Sequence, residues 1–366
     1  MREKSIDVAK GLAIIAIVLG HVLRGLVSID VIDGDGEAFQ TADRVIYMAH
    51  LSVFALLSGL FVQAGLTKYG QADYLRRRVG MFLYLYVLWS LLQGLAGLIL
   101  APEGQTLGDV LSLWRPDSQM WFFLWLVVVT VAVAVLKPWG SPVRIAVVMA
   151  IALAVSLSRW GIFGSIGGTQ GLGLVVFFFA GAALGADTYS RLVTKSVAVS
   201  VALAVAAGAV YVGLTVGLDA TPPSSGGGTR TEVTIALGLI ASTAAVVSIA
   251  YISKLLSMTA LSRPLEFLGR RSMEIFLAHV FAINAVRVVL NKAGVDSPAI
   301  HIVLGTIAGV ALPLLLWWVV TRFRNPFIFS APAFITGESS RGSIPLPRPL
   351  SLPDRPSLAR TGKALQ

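Results

Sequence analysis

Four histidines, His21, His50, His279 and His301, lie within or at the edge of long apolar runs, together with Lys10, Arg24, Glu274 and Arg287. Imidazole gains and loses a proton near neutral pH, so it can act as general base, general acid or nucleophile. An ionisable group at the centre of a bilayer costs roughly 3 kcal/mol or more unless it faces a partner or a cavity, which makes each of these residues a candidate for chemistry. The chain has no cysteine, so thiolate nucleophiles, disulfides and thiolate metal sites are excluded, and no metal site is expected.

Lys10 and His21 are the most informative pair. They are 11 positions apart, and 11 steps of about 100° return to within roughly 20° of the start, so both share one helix face about 16 Å apart along the axis. Asp7 and Arg24 fall near the same stripe, which makes one face of this helix a polar track through an apolar wall. Counting from Arg44 places His50 at a depth close to that of His21. Counting from the start of its own run leaves His279 about 10 Å from the opposite face, so the three rings form one cluster only if helices tilt or shift.

Simpler roles stand beside these. A histidine in a helical bundle also serves as an interhelical hydrogen-bond partner. The run Arg76, Arg77, Arg78 is equally a topology determinant. Glu274 has Arg270 and Arg271 within pairing distance on one helix face. The segment GGTQGLG lacks the preceding strand that a phosphate loop requires and reads as a loop. The stretch DATPPSSGGGTRTE reads as a flexible connection, not a site.

The elements that must hold these residues follow from composition. Of 366 residues, 56% are hydrophobic and 13% charged, against roughly 25% charged in soluble globular proteins. Mean hydropathy is +0.80, so much of the outer surface must face lipid. Apolar runs near 8–29, 44–66, 79–101, 118–136, 143–158, 171–187, 195–218, 232–252, 272–290 and 300–320 predict an all-α, polytopic transmembrane bundle of about ten helices. The first run carries Lys10 and His21 and no small-residue cleavage pattern, so it reads as a retained span. Residues 1–321 form the membrane domain, and 322–366, rich in Pro, Ser and Arg, read as a disordered basic tail.

The net charge of +10, from 29 Lys plus Arg against 19 Asp plus Glu, suggests nucleic acid only in a soluble protein. Here the basic residues cluster in alternate connections, among them Lys68, Arg76, Arg77, Arg78, Arg144, Arg191, Arg270 and Arg271. The other connections hold Asp30, Asp33, Asp35 and Glu37. Cytoplasmic loops collect Lys and Arg, so a multi-pass protein of the cell membrane with both termini cytoplasmic is expected, with no nucleic-acid partner.

The stretch IDVAKGLAIIAIVLGH resembles the first-helix signature of integral-membrane acyltransferase family 3, in which Lys or Arg is followed by ten residues and an essential His; Lys10 and His21 fit that spacing. YMAHLSVFALLSGLF is similar to its second-helix pattern through His50, Ser58 and Gly59, and FLGRRSMEIFLAHVF to its late-helix pattern through Gly269, Arg271, Ser272 and His279. The Ala-Lys-Gly wording is most similar to the sugar O-acetylase, fucose 4-O-acetylase-like branch. Two departures are visible: YLRRRVGMFLYLY lacks the spaced second Arg and Pro usual at the third helix, and Ser52 stands where Pro is common.

The resemblance implies transfer of an acyl group, most often acetyl from acetyl-CoA, to a hydroxyl of an envelope or exported carbohydrate or glycolipid, with acyl-CoA as substrate and no bound cofactor. Lys10 with Arg76, Arg77 and Arg78 would then meet the CoA phosphates. His21 acts as general base or carries the acyl group itself, while His50 and His279 orient the reactants. A proton-coupled transporter or flippase of a glycan or lipid is the alternative. The absence of a carboxylate at mid-membrane depth and of visible inverted repeats argues against it.

Overall fold

Each long apolar run becomes a helix, because only helices and closed barrels satisfy the backbone in lipid. The computed structural model describes residues 4–100, 106–194, 196–224, 229–323 and 325–337. In chain order the helices are α1 (Lys4–Val27), α2 (Glu37–Gly59), α3 (Val62–Tyr69), α4 (Gln71–Leu100), α5 (Leu107–Leu111), α6 (Trp121–Leu136), α7 (Pro142–Arg159), α8 (Val175–Val193), α9 (Val197–Gly217), α10 (Glu232–Leu256), α11 (Ser262–Arg270), α12 (Ser272–Lys292), α13 (Pro298–Arg322) and α14 (Ala333–Thr336). Ten of the segments they form are long and apolar enough to cross a membrane. The chain is a multi-pass, all-α membrane protein.

Helix α1 lies at the centre, against α2, α10, α11, α12 and α13. Its burial follows from its sequence: Ile6, Val8, Ile14, Ile17, Val18 and Val22 are all packed away, and the polar track of Lys10, His21 and Arg24 faces cavities within the bundle. The outside is apolar in turn. Val143, Val147 and Ile151 on α7, and Val303, Leu304 and Ile307 on α13, are exposed, as lipid-facing side chains must be.

Two helix crossings depend on glycine. A Cβ on Gly269 of α11 would lie 1.8 Å from the Asp7 carbonyl oxygen of α1. A Cβ on Gly59 of α2 would lie 2.1 Å from the Phe178 carbonyl oxygen of α8. Small residues allow backbones to approach this closely in membrane bundles. Gly269 and Gly59, two positions of the family motifs, thus serve packing.

Residues 325–337, which the sequence reading gave to the tail, include α14, and α14 packs on α4: Arg76 Nη2 donates to the Phe334 carbonyl at 3.2 Å. The remainder of that tail, 338–366, lies outside the described residues.

Candidate active site

Helices α1, α2 and α12 bring three histidines to one region. The His21 and His279 rings meet edge-on, with centroids 4.9 Å apart and planes at 66°. Counting depth along upright helices had separated these two, so helix placement overrides the count. His279 is 0% exposed. Its Nδ1 donates to the carbonyls of Phe276 at 2.8 Å and Ile275 at 3.1 Å. A carbonyl oxygen only accepts, so the proton is on Nδ1 and Nε2 carries the lone pair. That Nε2 has no hydrogen-bond partner among the described residues.

His50 is held in the same way, with Nδ1 donating to the Ile46 carbonyl at 2.5 Å. Its ring meets Tyr47 edge-on at 4.8 Å. Arg24 closes over the other side of Tyr47, its guanidinium 3.4 Å from the ring centroid, and forks onto Asp43 through Nε at 2.6 Å and Nη2 at 2.8 Å. Asp43, Arg24, Tyr47 and His50 therefore form one connected row. His301 stands apart: its Nε2 donates to the Val295 carbonyl at 2.7 Å.

His21, Arg24, Tyr47 and His50 line a cavity of about 340 Å³ that continues to Gln119 and Ser224. Sequence reasoning singled out neither of these last two. Gln119 was hidden at the head of an apolar run, its one signal being a polar residue beside WFFLWL. Ser224 falls in the stretch expected to be a flexible connection, and there the expectation is corrected. Residues 220–224 are buried, because the Thr221 carbonyl accepts from Trp160 Nε1 at 2.7 Å and the Pro223 carbonyl from Gly161 N at 3.2 Å. Thr221 N also donates to the Thr234 carbonyl at 3.0 Å.

A second cavity of about 210 Å³ lies toward the end at which α1 begins, lined by Lys10, Ser58, Arg78 and Ser272 among others. Lys10 Nζ sits 5.2 Å from the Phe61 ring centroid. Of the three successive arginines only Arg78 lines this space. Arg76 is turned to α14, and Arg77 lies over the Tyr69 ring at 4.8 Å. Glu274 pairs with Arg271 at 2.9 Å, one of the two partners expected for it.

The two cavities share Phe122 and Phe276 as wall residues, with ring centroids 5.6 Å apart. An imidazole on a cavity wall, such as that of His21, is able to take a proton from a hydroxyl. Among the described residues no three His, Asp or Glu side chains come together as metal ligands.

A family model described as an acyltransferase domain matches residues 3–318. No curated protein and no solved structure is matched. The match spans every helix from α1 to α12 and most of α13, including both cavities and all four histidines. The chain belongs to this acyltransferase family, acyltransferase family 3, and is a membrane acyltransferase.

Proposed function

We propose that the protein moves an acyl group, acetyl foremost, from acyl-CoA in the Lys10 cavity to a hydroxyl of an envelope or exported carbohydrate in the His21 cavity. The observation that carries this reading is the division of labour between the two spaces: basic side chains line one, imidazoles line the other, and Phe122 and Phe276 are common to both. The distribution of Lys and Arg along the chain supports a cytoplasmic position for both termini, and so for the Lys10 end, where acyl-CoA is made. Ala-Lys-Gly ahead of His21 favours a sugar acceptor of the fucose 4-O-acetylase-like kind.

The CoA phosphates are met by Lys10 and Arg78 through charge-assisted hydrogen bonds. Arg76 and Arg77 contribute positive field at the mouth. The pantetheine arm then passes between the shared aromatic rings. His21 removes the acceptor hydroxyl proton as the oxygen attacks the thioester carbonyl. The tetrahedral intermediate collapses with cleavage of the C–S bond, and the imidazolium returns its proton to the departing CoA thiolate. His50 stands beside the acceptor, and His279 holds the His21 ring from behind.

Purified protein in nanodiscs, given radiolabelled acetyl-CoA and an envelope glycan fraction, tests this directly. Wild type should release CoA and label the glycan, whereas His21→Ala should insert normally and do neither. Full activity in His21→Ala, or no CoA release by wild type, overturns the reading.

A further inference from the structure

We propose that Gln119 and Ser224 are the acceptor-positioning residues, holding the hydroxyls that neighbour the one acylated. This rests on the reading of the His21 cavity as the acceptor site. Both side chains line that cavity and both are 2% exposed. Gln119 Oε1 and Nε2 and Ser224 Oγ have no hydrogen-bond partner among the described residues. A buried carboxamide left without partners carries a desolvation cost for each polar atom, so such atoms call for a ligand group or water to complete them.

The local backbone is built to present them. Ser118 has φ 48°, a left-handed conformation that costs energy in a residue with a side chain, and it turns the chain directly into Gln119. On the other side, the carbonyls of Thr221 and Pro223 are fastened to Trp160 and Gly161, which fixes Ser224 at the wall. Asp219, just before this segment, is also left-handed at φ 48°.

The chemistry of the wall identifies the kind of group it takes. Its charged side chains are Arg24 and Asp117. Arg24 is forked onto Asp43, and Asp117 is a carboxylate that accepts from the Ser118 N–H at 2.7 Å, so the wall offers no uncompensated cation to an anionic ligand. A carboxamide offers one acceptor and two donors in a plane, which matches two adjacent hydroxyls, one donating and one accepting. Trp121 and Tyr47 add flat apolar faces beside those polar groups. The vicinal hydroxyls of a neutral sugar complete the amide.

The test uses Gln119→Leu and Ser224→Ala in the full chain, with alkali-de-esterified envelope glycan from cells lacking the protein as acceptor. Gln119→Leu should raise the acceptor KM at least about tenfold by losing two hydrogen bonds, with donor KM unchanged. Its Tm in the absence of glycan should equal or exceed that of wild type, since two orphaned buried polar atoms are gone. Gln119→Asn should recover part of the acceptor affinity, and Ser224→Ala should show a smaller rise of the same kind. Unchanged acceptor KM in both Gln119→Leu and Ser224→Ala overturns the proposal. Wild type that labels no component of the glycan overturns instead the reading on which it rests.

Discussion

The His279 imidazole stands directly behind that of His21, edge to face at 4.9 Å, and only His21 reaches the cavity wall. The buried ring has its Nδ1 proton tied to the Phe276 and Ile275 carbonyls, so it gives the first ring a fixed surface. In the proposed mechanism one histidine meets substrate and the other sets its orientation.

That division predicts unequal losses. His21→Ala should lower kcat about 10²–10⁴-fold, the usual contribution of a positioned acid–base group. His279→Gln keeps an acceptor near the Nε2 position, whereas His279→Asn keeps only the donor near Nδ1. The Gln variant should therefore retain more kcat than the Asn variant, with both KM values unaltered in each. Steady-state kinetics on the three variants against both substrates decides this.

The placement of the arginines predicts which basic residues touch the donor. Lys10→Met and Arg78→Gln should each raise the acyl-CoA KM about tenfold, as expected for loss of one charge-assisted hydrogen bond. Arg77→Gln, whose guanidinium rests on Tyr69 instead, should alter it less than about threefold. Titration with CoA itself measures the same difference without turnover.

The row from Asp43 to His50 predicts an effect at a distance. Asp43→Asn releases one side of the Arg24 fork, and Arg24 lies over the Tyr47 ring that meets His50. The ion pair is partly open to solvent, so the stability loss should be only about 1 kcal/mol. Activity should fall further than that figure explains, and Asp43→Glu should restore part of it. Thermal unfolding measured beside kcat separates the two.

Gly269 gives a prediction whose sign is diagnostic. Alanine normally favours a helix over glycine by roughly 1 kcal/mol. Here its methyl would lie 1.8 Å from the Asp7 carbonyl oxygen, so α1 and α11 must part. Gly269→Ala should lower stability by about 1–3 kcal/mol, the range for overpacking, and should shift the Lys10 cavity with it. An increase in Tm would contradict the close crossing.

The ten spans were legible because apolar runs of the right length have no other stable form in lipid. The Lys10 and His21 face was legible because a single helix fixes angular relations between its own residues. Relations between helices were not. The contact between His279 and His21 needs the tilt or shift that counting along upright helices leaves open, and α11 is folded in against α1, with Gly269 beside the Asp7 backbone. Ser224 was missed because Pro, Ser and Gly describe a backbone free to bend, and what fixes it is a pair of carbonyl contacts to Trp160 and Gly161, some sixty residues away. Arg76, Arg77 and Arg78 looked alike in sequence and diverge only through the neighbours each helix face meets.

Phe122 and Phe276 separate the two cavities by little more than the width of a pair of rings. Moving a whole coenzyme past them would strip water from several phosphate charges, a cost of many kcal/mol. A thioester carbonyl at the tip of a neutral arm carries no such charge. Under the proposed function, activated acyl groups would thus reach the His21 cavity one at a time, while the spent thiol withdraws to the side from which it came.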